Sequence, residues 1–288
     1  MKTKFFLKNT LAVAGVIEFL LLVGLFAIVL ATIQTLYVPE IMEQKEADHM
    51  DEISNQFSRL KAMIDIQTEE KSSIPLSSVF TLGNKELPYF VTLSKSGSIS
   101  IIDKEDTMSN IKFDTSSSSE IFDLTSIKYD ANNFYFVPQT YVYQGGGVII
   151  KQPEGLAIMW LEPPMNATPI RNQYGDVTDI EVYFDIPIIL CDSENSNIAG
   201  LENCFIQTNY SNELSDQNWN YLSNILSINI TTEYPNAWYE YFNSSDKDVK
   251  NNVTINKGSN YAVIEKASKD INLYYRKTCI FARIEYGG

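Results

Sequence analysis

The segment from Leu11 to Val38 constrains the fold of this chain most, because it is strongly apolar and Glu18 is its one charged side chain. In a helix that rises about 1.5 Å per residue, these roughly 28 residues span roughly 42 Å, whereas the hydrocarbon core of a bilayer is about 30 Å thick. Such a helix is stable in lipid or against other apolar surfaces. We therefore expect a transmembrane helix.

Charged residues on either side of this helix predict its orientation. Basic residues precede it and acidic residues follow it: Lys2, Lys4 and Lys8 on one side, Glu40, Glu43, Glu46, Asp48, Asp51 and Glu52 on the other. This order favours an N-terminus inside and a main domain outside the cytoplasm. A signal peptide cleaved after Ala31 is the alternative, although its apolar core would be only about 7–15 residues long.

A second helix is predicted after Pro39, which would kink the chain at the membrane boundary. Apolar residues recur every three or four positions, as expected for one helix face, at Met50, Ile53, Phe57, Leu60 and Ile64. This face could pack on the chain's own sheet or on a neighbouring subunit. The pattern ends near Thr68, and His49 is predicted to lie on the solvated side.

From Ser72 onward, short apolar runs alternate with turn residues, which is typical of strands. The predicted strands are Val79–Leu82, Tyr89–Leu93, Ser98–Ile102, Ile111–Phe113, Glu120–Tyr129, Phe134–Val137, Gly147–Gln152, Leu156–Leu161, Asp179–Leu190, Ile228–Thr232, Val253–Ile255, Tyr261–Glu265, Ile271–Tyr275 and Ile280–Tyr286. A short helix is predicted at Pro235–Phe242. The strand Asp179–Leu190 is predicted to bury one face, from Ile180 to Leu190 at every second position, and to leave the other wet, with Glu181, Tyr183, Asp185 and Pro187. The expected fold is α+β: the anchor over 1–38, the helical extension over 39–70 and a mainly antiparallel β-sandwich over 71–288.

The net charge of −14 and the pI near 4.5 argue against nucleic acid as a partner and against binding to anionic lipid headgroups. With one histidine and three cysteines, the chain is not expected to hold zinc, a cofactor or a Ser-His catalytic pair. Gly145 to Gly147 is interpreted as a tight turn rather than a phosphate loop. A calcium loop at Asp192 to Asn197 is disfavoured, and a hydrolase with an Asp/Glu site is a weaker alternative.

Cys191 and Cys204 flank a polar loop, and a disulfide between them would contribute about 3 kcal/mol. Two separate buried thiols are the alternative, and Cys279 is expected to be buried in a strand.

Two further kinds of candidate residue follow from the predicted location. Five Asn-X-Ser/Thr sequons lie in the outer domain and permit glycosylation, at Asn166, Asn209, Asn229, Asn243 and Asn252. Glu18 within the spanning helix costs about 2–3 kcal/mol if it is charged and alone, so it either pairs with a partner or lies at the membrane interface.

The residues from Ala12 to Phe19, AVAGVIEF, resemble the N-terminal stretch of archaeal type IV pilin-like proteins. Later segments are similar to the same family: Tyr37-Val38-Pro39, Glu46 to His49, Thr81-Leu82-Gly83, Val137 to Tyr143 and Tyr234 to Trp238. The resemblance implies a non-enzymatic surface protein whose N-terminal helix can also pack with other pilin-like subunits in a filament, with Glu18 setting the register. The alternative is a permanently anchored ectodomain that binds a surface ligand such as a glycan through exposed Tyr and Trp residues, with Trp160, Trp219 and Trp238 as candidates.

Overall fold

The computed structural model describes residues 4–83, 96–103, 107–191 and 196–286, with side chains from residue 14 onward. Its first part is a long helical rod: α1 (Lys4–Thr32), a π-helical turn (Ile33–Tyr37) and α2 (Val38–Glu70). The rod ends at Lys71, whose left-handed φ of 49° lets its N–H group bond back to the carbonyls of Gln67 and Thr68. The second helix therefore forms as predicted and runs two residues further.

The π-helical turn explains how the helix passes Pro39. Proline lacks an N–H group, and its ring collides with the carbonyl four residues earlier in an α-helix. Here the N–H of Val38 bonds to the carbonyl of Ile33, five residues back, and this wider turn precedes the proline. Pro39 then lies in the first turn of α2, where a missing N–H group is tolerated.

The described strands form two sheets that are mostly antiparallel, so the α+β class is correct. The larger sheet comprises β1 (Leu76–Thr81), β3 (Asn110–Thr115), β4 (Ser119–Asp123), β9 (Met165–Arg171), β10 (Val177–Cys191), β12 (Asn203–Tyr210), β13 (Asn220–Thr231), β14 (Val253–Lys257), β15 (Tyr261–Lys266) and β16 (Asp270–Tyr286). The smaller sheet comprises β2 (Gly97–Ile102), β5 (Ser126–Ala131), β6 (Gln139–Gln144), β7 (Gly147–Lys151), β8 (Ile158–Leu161) and β11 (Asn197–Gly200). Two short helices, α3 (Pro235–Asn243) and α4 (Lys247–Lys250), lie between β13 and β14. A face-to-face sandwich of the two sheets stays a prediction.

One pairing in the larger sheet is parallel, between the long strands β10 and β16, from Asp179 opposite Asp270 to Cys191 opposite Ala282. Around these strands the buried side chains form two clusters. One contains α3 and strands of both sheets. The other contains α2, whose five apolar residues predicted from periodicity are all at most 2 % exposed. The structure thus decides the question left open by the periodicity: the apolar face of α2 packs on the chain's own sheets.

Several strand predictions need correction. The segment Glu120–Tyr129 is two strands, β4 and β5, which belong to different sheets. The predicted strand Phe134–Val137 is a loop, whereas Ile271–Tyr275 and Ile280–Tyr286 are joined in the single strand β16. The strands β6, β9, β11 and β12 were not predicted, and Tyr89–Leu93 lies outside the described residues.

The long strand β10 also departs from the expected alternation of buried and wet side chains. Ile180, Val182 and Phe184 are buried as predicted, and Tyr183 on the other face is exposed. Further along, however, Asp185 and Pro187 are buried as well. Both line a cavity beside the last turns of α2, so this half of the strand is covered on both faces. A pattern of period two cannot show where a helix covers the second face.

The tight turn at Gly145 to Gly147 is confirmed, because it joins the antiparallel strands β6 and β7. Gly145 and Gly146 have φ values of 56° and 83°, which disfavour L side chains. The strands predicted at Gly147–Gln152 and Leu156–Leu161 are confirmed as the antiparallel pair β7 and β8, and the helix α3 is also confirmed.

Candidate functional site

The exposed part of the helical rod is the first functional feature. The helix is continuous from Ala14 to Glu70 and contains a window with a mean hydropathy of 2.8, of which nothing is buried. Leu21, for example, is 70 % exposed. Exposing so many large apolar side chains to water would cost on the order of 10–20 kcal/mol. The helix is long and apolar enough to cross a membrane.

Glu18 lies on this exposed surface of α1. None of the hydrogen bonds and ion pairs between described side chains involves it, and no part of the β-domain covers it. Within the described part of the chain, the Glu18 carboxylate therefore has no partner. The role predicted from the sequence, pairing across subunits or tolerance at the membrane interface, stays a prediction.

Where the rod enters the β-domain, the carboxylate of Glu46 is held by the backbone of the loop after β5. The N–H groups of Phe134, Tyr135 and Phe136 donate to it, with shortest distances of 3.1, 2.7 and 2.6 Å. Glu46 is only 4 % exposed. Successive backbone N–H groups that converge on one carboxylate compensate its lost hydration with charge-assisted hydrogen bonds. The N–H groups of this loop bond to Glu46 instead of to a neighbouring strand, so the strand predicted from its sequence does not form.

His49 lies one turn further along and corrects a prediction. It is 7 % exposed rather than solvated, and its Nε2 is 3.1 Å from the hydroxyl of Tyr129. That hydroxyl donates to the carbonyl of Leu82 at 2.9 Å, so the tautomer that fits carries its proton on Nε2. Burial lowers the pKa of His49 below 6.5, an effect that Glu52 and Glu46 oppose. The buried face of α2 is wider than its apolar stripe, which is why the periodicity misplaces this residue.

Polar contacts along α2 fix the rod to both sheets. Gln67 is fully buried; its Nε2 donates to the carbonyls of Ile74 and Thr208, and its Oε1 accepts from the Thr208 hydroxyl. The Tyr141 hydroxyl donates to the carbonyl of Met50 at 3.1 Å, and burial raises the pKa of Tyr141 to about 12. The Tyr141 hydroxyl also contacts Gln139 within β6, but Gln67 is buried and bonds to Thr208 of the larger sheet only when α2 is docked, so this side chain joins the rod firmly to the domain.

A row of aromatic side chains on the larger sheet is the second functional feature. Tyr183, Tyr274 and Tyr221 lie in register on β10, β16 and β13, with ring centroids 4.7 Å and 4.9 Å apart. The Trp219 ring stands edge-on to that of Tyr183, with 6.0 Å between the ring centroids, and the guanidinium of Arg276 lies 5.0 Å from the centroid of the Trp219 ring. Trp219 is 45 % and Tyr221 53 % exposed. The result is an exposed, well-supported aromatic surface, which we call the aromatic row.

The three tryptophans proposed as ligand contacts are not brought together. Trp219 belongs to the aromatic row, and Trp160 is 51 % exposed on β8 in the other sheet. Trp238 is fully buried, where its Nε1 donates to Gln144. The tyrosines of the row were missed, because each has the pattern of an ordinary strand residue and only the register aligns them.

The predicted disulfide between Cys191 and Cys204 does not form in the structure. Cys191 lies on β10 and Cys204 on β12, the two strands on opposite sides of β16. Two strand spacings put them at least roughly 9–10 Å apart, whereas a disulfide needs Cα atoms within about 7 Å. Burial raises the pKa of the Cys204 thiol to about 11, which makes it unreactive. Cys279 is buried as predicted, at 4 % exposure.

The five sequons differ in accessibility. Asn166 is exposed on β9, whereas Asn209 on β12 and Asn243 at the end of α3 are half-buried. The Oδ1 atom of Asn229 is buried on β13, and the Nδ2 of Asn252 donates to the carbonyl of Asp248. Asn166 is thus the most accessible acceptor of the five in the folded chain.

No group of three or more His, Cys, Asp or Glu side chains is placed to hold a metal ion in the described part of the chain. Residues 192–195 of the disfavoured calcium loop lie outside that part. Comparison of the chain with protein-family models, with curated proteins and with solved structures gives no match.

Proposed function

We propose that this chain is a non-enzymatic, membrane-anchored surface protein of the archaeal pilin-like kind, which displays its β-domain outside the cytoplasm. One observation carries the proposal: a single continuous helix is unpacked and apolar over its first half and forms part of the domain core over its second half. Because the helix is continuous, it holds the β-domain at a fixed distance from the membrane or the neighbouring helices that cover its apolar first half. Lipid and identical neighbouring helices both accept this surface, so the same segment serves as an anchor and as a filament core.

Membrane extraction tests the anchor. Replacing Leu22 and Phe26 in the middle of α1 by arginine adds about 2.5–3.5 kcal/mol per residue to the cost of insertion. We expect this double variant to leave the membrane fraction after an alkaline wash. The control adds two arginines at the exposed positions Gln44 and Asn55 of α2 and should stay in the membrane. Retention of both proteins would refute the anchor.

Assembly is tested separately at Glu18. Glu18→Leu is expected to keep the protein in the membrane and to impair filament formation seen by electron microscopy. If wild-type cells form filaments that contain the protein and the variant forms them equally well, Glu18 does not set the register. Mass analysis of the mature N-terminus in the same preparations shows whether processing occurs near Ala12.

The second candidate function is that of an anchored ectodomain that binds a surface glycan, and the aromatic row favours it. Rigid tyrosine and tryptophan rings offer apolar contact area together with hydroxyl groups that can bond to sugars. The Tyr183 hydroxyl bonds to Glu181 and the Tyr221 hydroxyl to Asn272, which orients both groups. A screen of immobilised glycans should show binding that Trp219→Ala weakens and Trp160→Ala does not. Equal loss in both variants would exclude the aromatic row.

A further inference from the structure

A cavity of about 210 Å³ lies between the last two turns of α2 and strands β10 and β16. Its walls combine apolar and acidic groups, contributed by Ile64, Asp65, Thr68, Glu69, Pro164, Asp185, Pro187 and Thr278. At about 30 Å³ per water molecule, it has room for roughly seven groups of that size. It shares no lining residue with the aromatic row, although Arg276 contacts both Asp185 in its lining and Trp219 in the row.

Two residues of the cavity lining, Asp185 and Thr68, each have a buried polar atom without a hydrogen-bond partner in the described part of the chain. Asp185 and Thr68 are 7 % and 8 % exposed, and neither the Oδ1 of Asp185 nor the Oγ1 of Thr68 has a hydrogen-bond partner within the described chain. Buried polar atoms are costly to leave unpaired, and a carboxylate oxygen can only accept, so these two atoms in one lining point to a ligand that supplies N–H or O–H donors.

The charges around the cavity indicate the sign of that ligand. Asp185 is paired with Arg276, and Asp65 with Lys61 at 2.9 Å. Glu69, the third carboxylate of the lining, is exposed and has no ion pair among the described residues, so the lining has one net negative charge. Burial raises the pKa of Asp185, and Glu69 adds to this rise, whereas the Arg276 guanidinium opposes it. The Thr278 hydroxyl itself donates to the carbonyl of Ile186, at 3.4 Å, and leaves Oδ1 open.

We propose that this cavity binds a primary ammonium group carried on a short aliphatic chain. An ammonium has three N–H donors and no acceptor, which matches the Oδ1 of Asp185, the Oγ1 of Thr68 and the carboxylate of Glu69 in the lining. Its single positive charge neutralises the excess negative charge of the lining. The walls formed by Ile64, Pro164 and Pro187 suit the methylene groups. A metal ion fits less well, because the carboxylates do not form a metal-binding group.

Calorimetric titration of the full chain in detergent micelles with n-butylammonium chloride tests this inference. We expect saturable binding at one site per chain. Tetramethylammonium, which has the charge without N–H donors, and 1-butanol, which has the chain without the charge, should give no saturable heat at equal ionic strength. Absence of saturable heat with n-butylammonium, or an equal response to tetramethylammonium, would overturn the proposal.

Two neighbouring glutamates provide matched variants. Glu69 and Glu70 are both exposed at the end of α2, but only Glu69 lines the cavity. Glu69→Gln should weaken n-butylammonium binding about tenfold, the loss expected for one charged partner, and Glu70→Gln should leave it unchanged. Thr68→Val should weaken binding as well. Equal affinities of the two glutamate variants would show that the heat arises elsewhere.

Discussion

Replacing Glu46 by glutamine tests how the rod is joined to the β-domain. The substitution keeps the shape of the side chain but removes the charge that all three N–H groups share at Oε2, and the NH2 group that replaces Oε1 faces the N–H of Phe134. Three backbone amides bond to this carboxylate, and it is 4 % exposed. Hydrogen bonds to charged groups contribute about 1.5–3 kcal/mol each, from which the cost of burying the carboxylate is subtracted. We expect a net loss of about 3 kcal/mol at the junction.

Hydrogen exchange measures this loss where it occurs. The amides of Phe134, Tyr135 and Phe136 should be protected in the wild-type chain, and about 3 kcal/mol corresponds to exchange faster by roughly a hundredfold in Glu46→Gln. Urea unfolding followed by tryptophan fluorescence gives the change in global stability of the same samples. Glu43→Gln, an exposed residue one turn earlier on α2, is the control and should change neither quantity. Unchanged protection of the three amides in Glu46→Gln would refute the structural reasoning.

Three further predictions concern the packing of α2 and the turns. Phe57→Ala removes a fully buried ring and should lower the free energy of unfolding by about 3–5 kcal/mol in urea, whereas Ile66→Ala on the exposed face should change it by less than about 0.5 kcal/mol. Because the pKa of His49 is lowered in the folded state, the unfolded chain binds a proton first as the pH falls, so the free energy of unfolding should decrease below about pH 6.5. His49→Gln should remove this pH dependence. A pH profile of stability that is the same in the variant and the wild type would contradict the prediction. Gly146→Ala adds a Cβ that would lie 2.2 Å from a proline ring, so it should destabilise by more than about 2 kcal/mol; Gly175→Ala, also at positive φ but in open space, should cost only about 1 kcal/mol. Equal melting temperatures of these two glycine variants would contradict the close contact.

Local sequence patterns predicted those helices and turns in which each face keeps the same surroundings, buried or exposed, from one end to the other. The apolar helix, the stripe from Met50 to Ile64, the turn at Gly145 and the short helix α3 all follow from periodicity or from one residue type. The predictions failed where a second element changes the environment of a segment. His49 and Asp185 are polar residues that other elements bury, and the loop at Phe134 is shaped by a glutamate from a distant helix.

The candidate site shows the same division. The long apolar helix and the carboxylate of Glu18 are visible in the sequence, because hydrophobicity is a property of the residues themselves. The aromatic row and the acidic cavity are not visible, because each collects residues that are far apart in the chain: Tyr183 and Tyr274 for the row, Thr68 and Asp185 for the cavity. Their meeting depends on strand register and on the position of α2.

By itself the sequence determined that the chain has an apolar helix of membrane-spanning length, an amphipathic continuation and a β-rich remainder. Helix periodicity, strand alternation and turn chemistry are local, and each arises from residues a few positions apart. Only the tertiary structure decided that α2 packs on the chain's own sheets, that Cys191 and Cys204 are held apart by β16, and which polar groups are buried. Those outcomes depend on contacts between residues distant in sequence, which local patterns do not encode.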